Sequence, residues 1–90
     1  MGIALFKIKL MPEDTSINLV QIQGYAKEAV EDLGGTITGF EEQEIAFGLK
    51  ALIVSIRISE DVDGSKIEEA LANIDGVSSL VIIDYRRAIN

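Results

Sequence analysis

The chain has 90 residues, 48% hydrophobic and 26% charged, and fifteen Asp and Glu against eight Lys and Arg give a net charge of −7. That length holds one core and not two, and that balance excludes a disordered polar tail and a membrane-spanning chain. With no Cys and no His, thiol nucleophiles, imidazole bases, zinc sites and iron–sulfur clusters are excluded too.

The elements follow in order. Ala4, Phe6, Ile8 and Leu10 alternate with Leu5, Lys7 and Lys9, the period of a half-buried strand, which Met11-Pro12 closes. Ser16 is the expected cap of a helix whose apolar stripe is Leu19, Ile22, Ala26, Ala29, Val30 and Leu33. Gly24 weakens this helix by about 1 kcal/mol relative to Ala, and Gly34-Gly35 stops it.

Thr36 to Phe40 reads as a second, weaker strand running into the acidic patch Glu41-Glu42-Gln43-Glu44. Leu49 to Ser59 is the clearest strand, with Leu52, Val54, Ile56 and Ile58 on one side. After the turn Asp61-Val62-Asp63-Gly64, Ser65 and Glu68 are expected to form a capping box. The helix they open has Ile67, Ala70, Leu71 and Ile74 at core spacing and ends at Gly76. Val77 to Tyr85 is the last strand, apolar on both faces. The order β-α-β-β-α-β predicts an α+β, ferredoxin-like two-layer sandwich. Its four-stranded antiparallel sheet carries two helices on one face, as a single domain over residues 1–90.

The carboxylates are the only available bases. Asp61-Val62-Asp63-Gly64 offers two ligands where a calcium loop needs an alternating set and a closing Glu, so no metal or cofactor is expected. No base stands ready to activate Ser or Thr, no Gly-x-Ser-x-Gly elbow exists, and no Gly-Lys-Ser/Thr phosphate loop is present. No enzymatic chemistry is expected. The apolar runs Ala51–Val54 and Leu80–Ile83 are too short to span a bilayer, and no export signal opens the chain, so a cytoplasmic location is expected. So acidic a chain repels nucleic-acid phosphates unless its basic residues converge on one face. Direct nucleic-acid binding is therefore not expected, a basic protein partner is, and the free chain is expected to be a monomer.

Two segments remain as partner-binding candidates. Ile45-Ala46-Phe47-Gly48-Leu49-Lys50 is either the start of the third strand with Phe47 in the core, or the end of the sheet with Phe47 held out as an aromatic anchor. Lys50 favours the second placement, since it shares parity with Leu52 and Val54 and must sit at the sheet's end. Arg86 and Arg87 stand just past the expected last strand, either as a solubilising fray or as a clamp for carboxylates or phosphates.

Residues 45–52 resemble the signature of the translation elongation factor 1-beta family. The opening Phe6-Lys7-Ile8-Lys9-Leu10-Met11-Pro12, the closing Ile74-Asp75-Gly76-Val77-Ser78-Ser79, and Asp84 followed by Arg86-Arg87 are similar to it as well, so the likeness spans essentially the whole chain. It is nearest the compact archaeal members, which consist of the exchange domain alone. The resemblance implies a guanine nucleotide exchange factor acting on the GTPase elongation factor 1-alpha, with a ferredoxin-like fold and with Ala46, Phe47 and Gly48 against the GTPase. Eukaryotic members place a lysine near the C-terminus, at the partner's magnesium site. Here no lysine follows Lys66 and the tail is Ala88-Ile89-Asn90, so either Arg86 or Arg87 substitutes or release proceeds without such a cation. The N-terminal region through which larger relatives join other subunits is expected to be absent. The alternative is an ACT-type ligand-binding or self-associating regulatory module, although its usual glycine between first strand and first helix has no counterpart in residues 11–16. An RNA-recognition sandwich would need stacking aromatics on the first and third strands; Phe6 is in the first, but the third has none after Phe47.

Overall fold

The computed structural model describes residues 2–89; Met1 and Asn90, the last residue of the lysine-free tail, lie outside them. The elements are β1 (Gly2–Pro12), α1 (Leu19–Asp32), β2 (Thr36–Ala46), β3 (Leu49–Ser59), α2 (Gly64–Ala72) and β4 (Val77–Ile89). The expected order and fold class are present. The strands form one antiparallel sheet in the order β2-β3-β1-β4, so β1 and β3 are central and both β2 and β4 are edges.

Alternation sorts the side chains of the central strands. Ala4, Phe6, Ile8 and Leu10 of β1 and Leu52, Val54, Ile56 and Ile58 of β3 point to one side. There they pack with Ile22, Ala26 and Val30 of α1 and Ile67 and Leu71 of α2. Together these make the hydrophobic core, and burial of such side chains at about 1.5–3 kcal/mol each drives the fold. Among the described residues, no helix covers the other face. Gly35 fits tightly beneath α1: a Cβ there would stand 2.8 Å from Val30 and 3.2 Å from Ile67.

Four local expectations need correction. Helix α1 is capped by Asn18, whose side chain accepts from the amides of Val20 and Gln21; Ser16 instead donates to Asp14. Helix α2 is capped by Asp63, which accepts from the amide and hydroxyl of Ser65, so Ser65 is no cap and forms no box with Glu68. Strand β2 runs on through the acidic patch to Ala46. An edge strand facing water tolerates carboxylates, and they protect it from pairing with other chains. Strand β4 runs past Tyr85 to Ile89 because β1 continues beside it, with Arg86 opposite Leu5 and Arg87 opposite Ala4.

Candidate functional site

Phe47 and Gly48 are the two residues joining β2 to β3, with Ala46 paired to Leu49 across the turn. Both have positive φ, 54° and 80°, as a type I′ hairpin requires of its two central residues. Glycine adopts that conformation freely; phenylalanine does not, and the left-handed region costs a residue with a Cβ about 1–2 kcal/mol. The Phe47 ring is fully exposed, at 102% of its reference surface. Of the two placements open in the sequence, the structure has the second, with Phe47 at the end of the sheet and outside the core. Local backbone strain and an unburied aromatic thus coincide on one residue.

The neighbours of the tip are exposed as well. Ala46 is exposed, and the ladder skips Ile45 between Glu44 and Ala46, a bulge that leaves this isoleucine 40% exposed. Lys50 stands at the same end of the sheet, exposed, with Nζ 3.8 Å from a carboxylate oxygen of Glu42.

Arg86 and Arg87 are inside β4 and not past it, which corrects their expected position. Being adjacent in a strand they point to opposite faces, so they cannot clamp one carboxylate or phosphate together. Arg87, on the helix side, donates from Nη2 to Oε1 of Glu60 at 2.7 Å. Arg86, on the uncovered face, has Nε 3.3 Å from Oδ2 of Asp84 and keeps a largely exposed side chain. Nor do the arginines stand beside the tip. Arg86 is level with Leu5, and Leu5 with Arg57, nine residues along β3 from Gly48, which at 3.3 Å per residue is roughly 30 Å. The candidate residues therefore divide between the two ends of the sheet.

Between β4 and the turn into α2 lies a hollow of about 130 Å³ lined by Phe6, Ile58, Val62, Ile82 and Tyr85, with the Arg87–Glu60 pair at its rim. The rings of Phe6 and Tyr85 are 6.2 Å apart there. Ser59 and Glu68 also line it. Hydrogen bonds from Ser16 and Ser65 hold the carboxyls of Asp14 and Asp63 below the usual range; both are exposed and serve their turns. Among the described residues no group of three or more Asp or Glu could hold a metal ion, and no helix is long and apolar enough to cross a membrane.

Residues 5–87 match the family model described as the EF-1 guanine nucleotide exchange domain. Among similar proteins, elongation factor 1-beta of Haloarcula marismortui is 41% identical over 83 residues, covering 91% of this chain and 93% of its own. The protein of that name from Methanococcus aeolicus is 35% identical, covering 93% and 96%. That of Methanocaldococcus jannaschii is also 35% identical, covering 98% and 100%. Among solved structures, the C-terminal domain of MgtC from Mycobacterium tuberculosis superposes with a TM-score of 0.61 over 98% of this chain and 88% of that one. Its identity is 10%, so this last likeness speaks for the fold alone.

Proposed function

The chain belongs to the elongation factor 1-beta family and is a guanine nucleotide exchange factor for elongation factor 1-alpha, and we propose that it works through two separate contacts, Phe47 at one end of its sheet and Arg86 at the other. The observation that carries this reading is the strained, fully exposed Phe47 at the hairpin tip. Ala46, Gly48 and Lys50 flank the ring and form the rest of that contact. At the far end Arg86, largely exposed and held only by the adjacent Asp84, is the cation offered to the partner's phosphates, while Arg87 is tied across the fold to Glu60.

The activity needs no covalent step. Factor and nucleotide each weaken the other's hold on the GTPase, and by linkage the two factors are equal. Release made a thousandfold faster requires a barrier lower by about 4 kcal/mol. Burying one aromatic supplies about 1.5–3 kcal/mol, so the tip alone falls short and a second contact is required. On this reading residues 1–90 act as one exchange domain, a monomer when free, beside its partner in the cytoplasm, without enzymatic chemistry of its own. The regulatory-module alternative is not favoured, since the whole-chain matches are to the exchange family.

The test is release of a fluorescent GDP analogue from purified elongation factor 1-alpha of the same source. Catalytic amounts of the protein should accelerate it. No acceleration, with the protein folded and the GTPase active, would overturn the reading.

A further inference from the structure

The charge of this molecule is divided by face. The cross-strand partners of Leu5 are Arg57 on β3 and Arg86 on β4, and those of Lys9 are Ile53 and Val81. With Lys7, this puts four of the chain's eight basic residues on the sheet face that no helix covers. Of the fifteen acidic residues only two share it, Asp84 opposite Lys7 and Glu41 opposite Ile53. The face is net positive on a chain of charge −7, while the helices and loops carry the excess of carboxylates. Among the described residues Lys7, Lys9 and Arg57 have no ion-pair partner within 4 Å; Arg86 alone is paired. Between the cations lie Leu5, 39% exposed, and Val81, 52% exposed. A shallow hollow of about 240 Å³ opens among Leu5, Lys7, Ser55 and Arg86.

We propose that elongation factor 1-alpha lies along this uncovered face and meets Lys7, Lys9 and Arg57 with an acidic patch of its own. This rests on the two-contact exchange reading: Arg86 is on this face, the Phe47 tip stands at its far end, and a partner lying along the face reaches both. An apolar centre with a polar, solvent-accessible rim is the layout of a protein interface, and three unpaired cations on it are complemented by opposite charge on the partner. A nucleic-acid backbone fits less well. No aromatic side chain of the sheet faces this way for base stacking, Phe6 and Phe40 being packed with the helix-side core, and Asp84 and Glu41 would oppose phosphates. A second copy fits less well too, since docking its acidic helix side on this face would leave an open chain of copies and no closed dimer.

The experiment compares two double variants of equal net charge in the GDP-release assay over a range of salt. Lys7→Glu/Lys9→Glu reverses the uncovered face, and Lys27→Glu/Lys66→Glu reverses exposed lysines on the helix side; circular dichroism checks the fold of both. The first pair should lower kcat/KM roughly tenfold at low salt, with a smaller loss in kcat and a flattened salt dependence, because such charges act chiefly on encounter. The second pair should stay within about twofold of the parent. Equal effects from the two pairs, or none from the first while the parent is active, would overturn the inference and leave the exchange reading standing. A parent without activity would overturn both. Binding of a homopolymeric RNA that is lost only in the first variant would assign the face to nucleic acid instead.

Discussion

Nη2 of Arg87 donates to Oε1 of Glu60 at 2.7 Å, tying the last strand to the turn that leads into α2. The amide of Glu60 in turn donates to the carbonyl of Gly2 at 3.0 Å, so one residue secures both strands at that end. Both side chains are substantially exposed, and an exposed pair contributes about 0–1 kcal/mol. Arg87→Ala should therefore lower stability by less than about 1 kcal/mol, a Tm shift of a few degrees for a domain this size, and leave kcat of exchange near the parent value. Arg86→Ala should do the reverse, sparing Tm and lowering exchange. Thermal melts and GDP release on the two variants check the assignment; a larger exchange defect in Arg87→Ala would transfer the role to that residue.

Phe47 combines a left-handed backbone with an exposed ring, so its two properties can be separated by substitution. Asn is favoured at the first position of a type I′ turn. Phe47→Asn should raise stability by up to about 1 kcal/mol while lowering kcat/KM by roughly 10- to 150-fold, the equivalent of about 1.5–3 kcal/mol of lost aromatic burial. Urea unfolding and nucleotide release measure the two effects on one sample. Because Arg86 is roughly 30 Å away along the strands, the losses from Phe47→Ala and Arg86→Ala should add within about 0.5 kcal/mol. Strong non-additivity would mean that the two ends act as one contact.

The alternation of β1 and β3 and the stripes of both helices were legible in the sequence because burial enforces a period on each. Order and fold class followed from those four elements. What was not legible lay where burial enforces nothing. Glu41, Glu42 and Glu44 belong to a strand that faces water, and only pairing with β3 reveals it. Arg86 and Arg87 read as a fray because their place in β4 depends on Gly2 to Leu5 lying beside them. The helix caps were misplaced by two residues in each case, since several Ser, Asp and Asn compete near each start and only backbone geometry chooses. Phe47-Gly48 carried a usable signal, glycine as the second of two residues between strands, masked by a phenylalanine where Asn or Asp is usual. The charged face required register, because Lys7, Arg57 and Arg86 meet only across three strands.

Two glycines should respond to alanine in opposite directions. Gly24, inside α1, has open space around a built Cβ, so Gly24→Ala should stabilise by about 0.5–1 kcal/mol. Gly35 has Val30, Ile58 and Ile67 within 3.2 Å of that position. Gly35→Ala should overpack the site and destabilise by about 1–3 kcal/mol. Denaturant midpoints at equal slope report both; a stabilising Gly35→Ala would mean the core beneath α1 yields more than its packing indicates.

Acid should loosen α2 first at its N-terminus. The hydroxyl and amide of Ser65 both donate to the Asp63 carboxylate, holding its pKa below the ordinary value. A carboxyl depressed in the folded state contributes stability that is fully present above its unfolded pKa and disappears as pH falls through the folded one. The capping contribution should thus be constant at neutral pH and fade on the acid side of about pH 4, near the ordinary aspartate value. Asn caps a helix about as well as Asp and does not titrate, so Asp63→Asn should match the parent at pH 7 and lose less stability between pH 4 and pH 2. Chemical unfolding across that range, with amide exchange at Ser65 and Lys66 as the local probe, checks it. Equal acid sensitivity in parent and variant would show that the cap does not depend on the charge of Asp63.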